Sequence, residues 1–178
     1  MSRLFTQPVS EATGHAAQLF TAIKGAIGKV PNAYLTLGTN SPVALEAALN
    51  LDGALKKSSL SAKEVEVVKL AVSQEASCDY CLAAHTLMGG KAGLSADAIK
   101  GVRHGQPSGD ARLDALATFV HTVVSTSGDV PAEVVIAVKQ AGYSDAQIVD
   151  TLLAVASITF TNLFNRVNVT TLDFPPAD

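Results

Sequence analysis

Two helix-start signatures constrain this chain more than any other feature of its sequence. Ser61-Ala62-Lys63-Glu64 and Ser144-Asp145-Ala146-Gln147 are both capping boxes. In each, the serine and the acidic or amide side chain three residues later satisfy each other's orphan backbone amides. Behind the first, Val65, Val68, Leu70 and Val72 form the apolar part of a helix; behind the second, a long helix is expected to reach Val167. Ser41-Pro42 is a third start signal, an N-cap followed by proline at the first helical position. Period-two alternation is nearly absent. The expected fold is all-α, a single helical domain over residues 1–178.

Caps and breakers divide the chain further. The spacing predicts helices over 10–27, 32–37, 42–57, 61–75, 78–88, 95–103, 111–126, 131–140 and 144–167. Gly89-Gly90 and Gly101 read as helix terminators, 105–109 as the clearest loop, and 171–176 as an irregular tail. Placing Ser61 on Ser144 also aligns the Leu-Ala-Val triplets at 70–72 and 153–155. That register suggests an internal two-fold duplication in which Cys78, Cys81 and His85 fall on Thr161, Phe164 and Asn168. Chance alignment in an alanine-rich chain gives the same echo.

Composition removes several function classes. The apolar fraction is 48% and the charged fraction 16%, too apolar and too weakly charged for a disordered chain. With a net charge of −3 and scattered Lys and Arg, no basic face for nucleic acid is expected. The richest apolar run, Leu152 to Ala156, is soon interrupted by Ser157 and Thr159. It falls well short of the roughly 18 apolar residues of a membrane span. Met1 to Pro8 has no apolar core of a secretory signal, so the expected compartment is the reducing cytoplasm.

The chemistry sits in Cys78-Asp79-Tyr80-Cys81-Leu82-Ala83-Ala84-His85, a C-x-x-C-x-x-x-H element. On a helix, Cys81 and His85 stand at i and i+4, within side-chain reach. Cys78 sits near the helix start, where free amides and the helix dipole favour a thiolate. His85 can take a proton from Cys81 or stabilise its thiolate, and the pair can cycle between dithiol and disulfide. Glu66 lies twelve residues before Cys78. By spacing alone it reads as a solvated helix carboxylate like Glu64, although an antiparallel return would bring it to His85.

Other readings of these residues are weaker. Cys78, Cys81 and His85 with distant His104 would make a metal site, but structural zinc sites show a second close pair of ligands, absent here. A c-type haem needs histidine directly after the second cysteine, where Leu82 stands. A thioredoxin-type motif needs a preceding strand, and a serine hydrolase a G-x-S-x-G elbow. His15, His104 and His121 read as surface or satisfied interior residues.

The run from Glu66 through Cys78, Cys81 and His85 resembles the carboxymuconolactone decarboxylase superfamily, in its alkylhydroperoxidase D-like branch. The likeness is detailed over 61–94, and Asn162-Leu163-Phe164-Asn165-Arg166-Val167 with Thr171-Leu172-Asp173 is similar to the end of longer members. The resemblance implies an all-helical bundle assembled as trimers or hexamers, with no cofactor. It also implies thiol-dependent peroxide reduction, with electrons from a dithiol protein or small thiol. Cys81 would be the peroxidatic thiol, Cys78 the more exposed resolving thiol, and His85 with Glu66 the proton relay. Tyr80 stands where the best-studied members have histidine, and with Asn162 and Asn165 it is a candidate pocket residue. The lactone decarboxylases of the superfamily lack the cysteine pair. The alternatives are a disulfide reductase or redox sensor of the same fold, or a non-redox protein with inert thiols.

Overall fold

Both capping boxes close as their sequences predict, with each serine accepting from the third helical amide and each Glu or Gln side chain accepting from the serine's own amide. Ser41, Ser95 and Asp110 cap three further helices through their side chains. Such caps are each worth about 1 kcal/mol. The computed structural model describes residues 2–177, and among these there are nine α-helices and no strand. A 3-10 turn, Val9–Glu11, precedes α1 (Gly14–Ile27), α2 (Asn32–Asn40), α3 (Pro42–Leu55), α4 (Ala62–Glu75) and α5 (Asp79–Lys91). Then follow α6 (Ala96–His104), α7 (Ala111–Ser125), α8 (Ala132–Gln140) and α9 (Asp145–Asn168). The fold is all-α.

Helix α4 forms the centre, packed against α5, α6, α7 and α9. Val67, Val68, Leu70, Ala71 and Val72 are all buried on it, as a helix surrounded by other helices requires. Burying a Val or Leu side chain of this kind contributes about 1.5–3 kcal/mol. A second cluster joins α1, α2 and α3 through Phe20, Ile23, Leu37 and Leu45, and Phe164 of α9 touches both clusters. Asp52 ties three helices together, accepting from Lys69 at 2.8 Å and Ser157 at 3.2 Å. The second capping box opens α9 as the first opens α4, and the two helices pack against each other. Where α4 breaks into the cysteine corner, however, α9 continues unbroken.

Several boundaries differ from the sequence reading. Residues 10–13 are not part of α1, because the chain is extended at Ala12 and Thr13. Gly89 and Gly90 do not end α5, which continues to Lys91 and turns at Gly93, with φ of +94°. Gly89 is there for contact: a Cβ would meet Leu94 at 3.2 Å and Leu70 at 3.4 Å. Gly101 likewise lies inside α6, where a Cβ would come within 2.7 Å of the Pro107 carbonyl. Helix α9 has the length and composition to cross a membrane, although its sequence offers no unbroken apolar run. In this fold it buries Thr151, Ser157, Asn162 and Asn165 against its neighbours.

Candidate active site

The cysteine pair is set by a corner between α4 and α5. Ser77 takes the left-handed conformation, φ of +50°, so that its own amide bonds Gln74 O and the Cys78 amide bonds Ser73 O, both at 3.0 Å. This is the Schellman closure, adopted here with a serine where glycine is usual. Cys78 thereby ends α4 and also caps α5, its sulfur accepting from the Cys81 amide at 3.4 Å. Cys78 and Cys81 are joined as a disulfide, with Cα atoms 5.3 Å apart. Cys78 is 1% exposed and Cys81 2%. The expectation of a more exposed Cys78 is therefore corrected: the corner turns both sulfurs into the main core cluster.

The same corner returns α5 along α4 and brings Glu66 to His85. Glu66 Oε2 lies 2.8 Å from His85 Nδ1, with both side chains largely covered. The solvated reading of Glu66 does not hold, because its face of α4 is covered by α5. Nor does it hold for Glu64, which is 7% exposed and bound by Ser61 and Arg112. Burial alone would raise the Glu64 carboxyl, but hydrogen bonds from Ser61, Tyr143 and Arg112 outweigh it and hold the group below its ordinary value. A carboxylate only accepts hydrogen bonds, so in the Glu66 contact His85 Nδ1–H donates, and Nε2 is the ring nitrogen that does not bond Glu66.

Helix α9 supplies the remaining polar groups. Asn165 Nδ2 donates to Cys81 Sγ at 3.4 Å, and Asn162 Nδ2 donates to Ser73 Oγ at 3.1 Å, both in buried surroundings. Each leaves its carbonyl oxygen buried with no protein partner. Tyr80, expected as a pocket residue, points instead into a clasp on the carboxy-terminal tail. Its hydroxyl donates to Asp173 Oδ1 at 2.7 Å and accepts from the Ala33 amide at 3.2 Å. Its ring meets Phe174 edge-on at 5.6 Å, while Lys29 pairs with Asp173 and lies 4.4 Å from the Phe174 ring centre. Burial and the Asp173 carboxylate push the Tyr80 hydroxyl far above its ordinary value, so it remains a donor. No local pattern signals this clasp, since its partners lie 93 residues apart.

The other histidines stand away from the sulfurs. His121 is satisfied by Glu75 and the Val102 carbonyl, His15 faces Glu46 at 3.6 Å, and His104 is exposed at the end of α6. Among the described residues no group of three or more His, Cys, Asp or Glu is arranged to hold a metal ion. The larger cavity, about 430 Å³, lies between α5 and the tail, lined by Ala83, Thr86, Leu87, Gly90, Pro175 and Pro176. The cysteines do not line it. A smaller one, about 130 Å³, abuts the last turn of α4 and includes Val72, Ala76, Asn162 and Arg166 in its wall. Of the two, the smaller is the one that touches the α9 asparagine face.

The model of the carboxymuconolactone decarboxylase family matches residues 42–118, a stretch holding Glu66, Cys78, Cys81 and His85. Over that stretch the chain is similar to the carboxymuconolactone decarboxylase family. Its fold is that of the AhpD-like helical proteins. A peroxidase-related protein from Ralstonia eutropha with an alkylhydroperoxidase AhpD core superposes with a TM-score of 0.84, at 21% identity over 97% of this chain and 92% of that one. A peroxidase-related protein from a Silicibacter species gives 0.77 at 19% identity, over 99% and 95%. The debrominase Bmp8 gives 0.80 at 15% identity, over 97% and 93%, so this fold also occurs in a protein named for another reaction. No curated protein matches the sequence.

Proposed function

We propose that the protein is a thiol-dependent peroxidase that reduces alkyl hydroperoxides through Cys81 and Cys78. The observation that carries this reading is the joining of a redox-capable cysteine pair to a buried Glu66–His85 pair that bridges α4 and α5. In the reduced chain, His85 Nε2 takes the Cys81 proton. The thiolate attacks the outer peroxide oxygen, the O–O bond breaks, and the proton passes to the departing alkoxide, giving an alcohol and Cys81 sulfenic acid. The Cys78 thiol then displaces hydroxide from that sulfur, which leaves as water, and the disulfide forms. A dithiol, protein or small molecule, restores both thiols by exchange and is itself oxidised to a disulfide. The buried carbonyl oxygens of Asn162 and Asn165 are acceptors suited to the O–H of a hydroperoxide. A reducing compartment, expected to be the cytoplasm, and assembly as a trimer or hexamer belong to the same proposal.

Cysteine variants test the roles. Cys81→Ser is expected to abolish peroxide consumption, and Cys78→Ser to allow one turnover and leave a trappable sulfenic acid on Cys81. Mass spectrometry that finds the sulfenic acid on Cys78 in the Cys81→Ser chain reverses the assignment. Disulfide exchange in a chain insensitive to peroxide supports the reductase alternative.

A further inference from the structure

The corner poses a question that the cysteine spacing does not answer: why Cys81, rather than Cys78, would be the nucleophile. Cys78 caps α5, so its sulfur takes the Cys81 amide and the favourable end of the helix dipole. Backbone physics alone thus favours a thiolate at Cys78. Cys81 Sγ receives something different, the Asn165 side-chain amide from α9, 84 residues along the chain.

We propose that Asn165 is a hydrogen-bond donor to the Cys81 thiolate and tips the balance of reactivity from Cys78 toward Cys81. Asn165 is 5% exposed, so water competes weakly for its amide. A thiolate only accepts, which fixes Nδ2 rather than Oδ1 toward the sulfur. Asparagine is a poor helix former, yet α9 buries three of them at i, i+3 and i+6, each donating to a different group. Asn162 bonds Ser73, Asn165 bonds Cys81, and Asn168 bonds Thr170.

The other titratable or charged groups on the packed elements have their own places. On α5 and its cap these are Cys78, Asp79, Tyr80 and His85, on α4 Glu66, Lys69 and Glu75, and on α9 Arg166; Lys63 and Glu64 stand in the first turn of α4, Lys91 at the end of α5, and Asp145 and Asp150 in the first two turns of α9. Tyr80 is held by Asp173, Glu66 by His85, Lys69 by Asp52 and Glu75 by His121, while Asp79 and Arg166 are exposed. His85 lies one turn from Cys81 and acts with Asn165, one group holding the proton and the other the charge.

The inference rests on Cys81 being the nucleophile, and its deciding readout is a thiol pKa rather than peroxide turnover. The Cys81 thiol pKa is measured by thiolate absorbance and iodoacetamide alkylation in a Cys78→Ser chain, and that of Cys78 in a Cys81→Ser chain. Each is repeated with Asn165→Leu, which keeps bulk and removes the donor, and with Asn165→Ser, which is too short to reach the sulfur. Asn162→Leu, on the same face of α9, is the control for general disturbance. The Cys81 pKa is expected to rise by about one unit in both Asn165 variants, with Cys78 nearly unmoved. Peroxide turnover at neutral pH should fall less, roughly threefold, because the more basic thiolate is intrinsically more reactive. If the Leu chain does not fold, the Ser chain carries the same readout. An unchanged Cys81 pKa, or equal shifts in Cys81 and Cys78 or in the Asn162→Leu control, overturns the inference. Loss of peroxide activity as a property of the protein, with the pKa shift intact, would defeat the proposed function and leave this role of Asn165 standing.

Discussion

His85 Nδ1 is held by Glu66 at 2.8 Å, and in the proposed reaction its Nε2 takes the Cys81 proton. A buried carboxylate in this position orients the ring and stabilises the imidazolium formed when the thiol ionises. Glu66→Gln keeps the shape and removes the charge. Its peroxide reaction should slow by roughly ten- to a thousandfold, about 1.4–4 kcal/mol of transition-state stabilisation, with the Cys81 pKa rising in step. Stopped-flow rates and a thiol titration check both; unchanged values would leave the relay to Cys81 and His85. Cys78, Cys81 and His85 are legible in the sequence because they lie within two turns of one helix. Glu66 is legible only through the family resemblance, since nothing in its own helix distinguishes it from Glu64, and both prove to be buried. Asn165 and Tyr80 are visible as residues, but their partners are set by tertiary packing.

Helix α4 positions Glu66 and ends at the cysteine corner, so its first turn matters to the site at its other end. Glu64 closes the capping box and also binds Arg112 of α7. Its carboxyl is held below the ordinary value of 4.5, so the folded chain binds that proton more weakly than the unfolded chain. The resulting stabilisation is complete above the ordinary glutamate range and is lost as pH falls through the lowered folded value. Asp150, bonded by Ser59, titrates in the same direction. Thermal melts of the wild type and Glu64→Gln between pH 7 and 3 are expected to converge on acidification. At neutral pH the variant should melt about 2–4 °C lower, the effect of roughly 1 kcal/mol in a chain of this size. A constant gap across the range would show that charge at residue 64 contributes nothing. The start of this helix is readable because a capping box is local. Its end is not: Ser77 adopts a left-handed turn without a glycine to announce it, and Gly89 serves close packing rather than termination.

Across the whole molecule, α9 has two unlike faces, a buried one rich in Thr, Ser and Asn and an exposed apolar one. One packs on α3, α4 and α5, while Val149, Leu152, Phe160, Leu163 and Val167 form a stripe on the outside, with Leu163 62% exposed. A contiguous stripe of this kind marks an association surface, and it fits the proposed assembly from copies of this chain. Light scattering of the wild type is expected to give a multiple of 18.3 kDa, and Leu163→Glu a shift toward that mass. A wild-type monomer at micromolar concentration would contradict the assembly. Helix number and order are legible at this scale because caps and periodicity are local. The tail clasp joining Tyr80, Asp173, Phe174 and Lys29 is not, because the sequence gives no sign of where an irregular segment docks. The proposed chemistry lies in the two sulfurs, and a thiol count on the fully reduced chain mixed with cumene hydroperoxide tests it. Rapid loss of two thiols per chain, with one hydroperoxide converted to its alcohol, is the predicted result; thiols that persist while the hydroperoxide remains would contradict it.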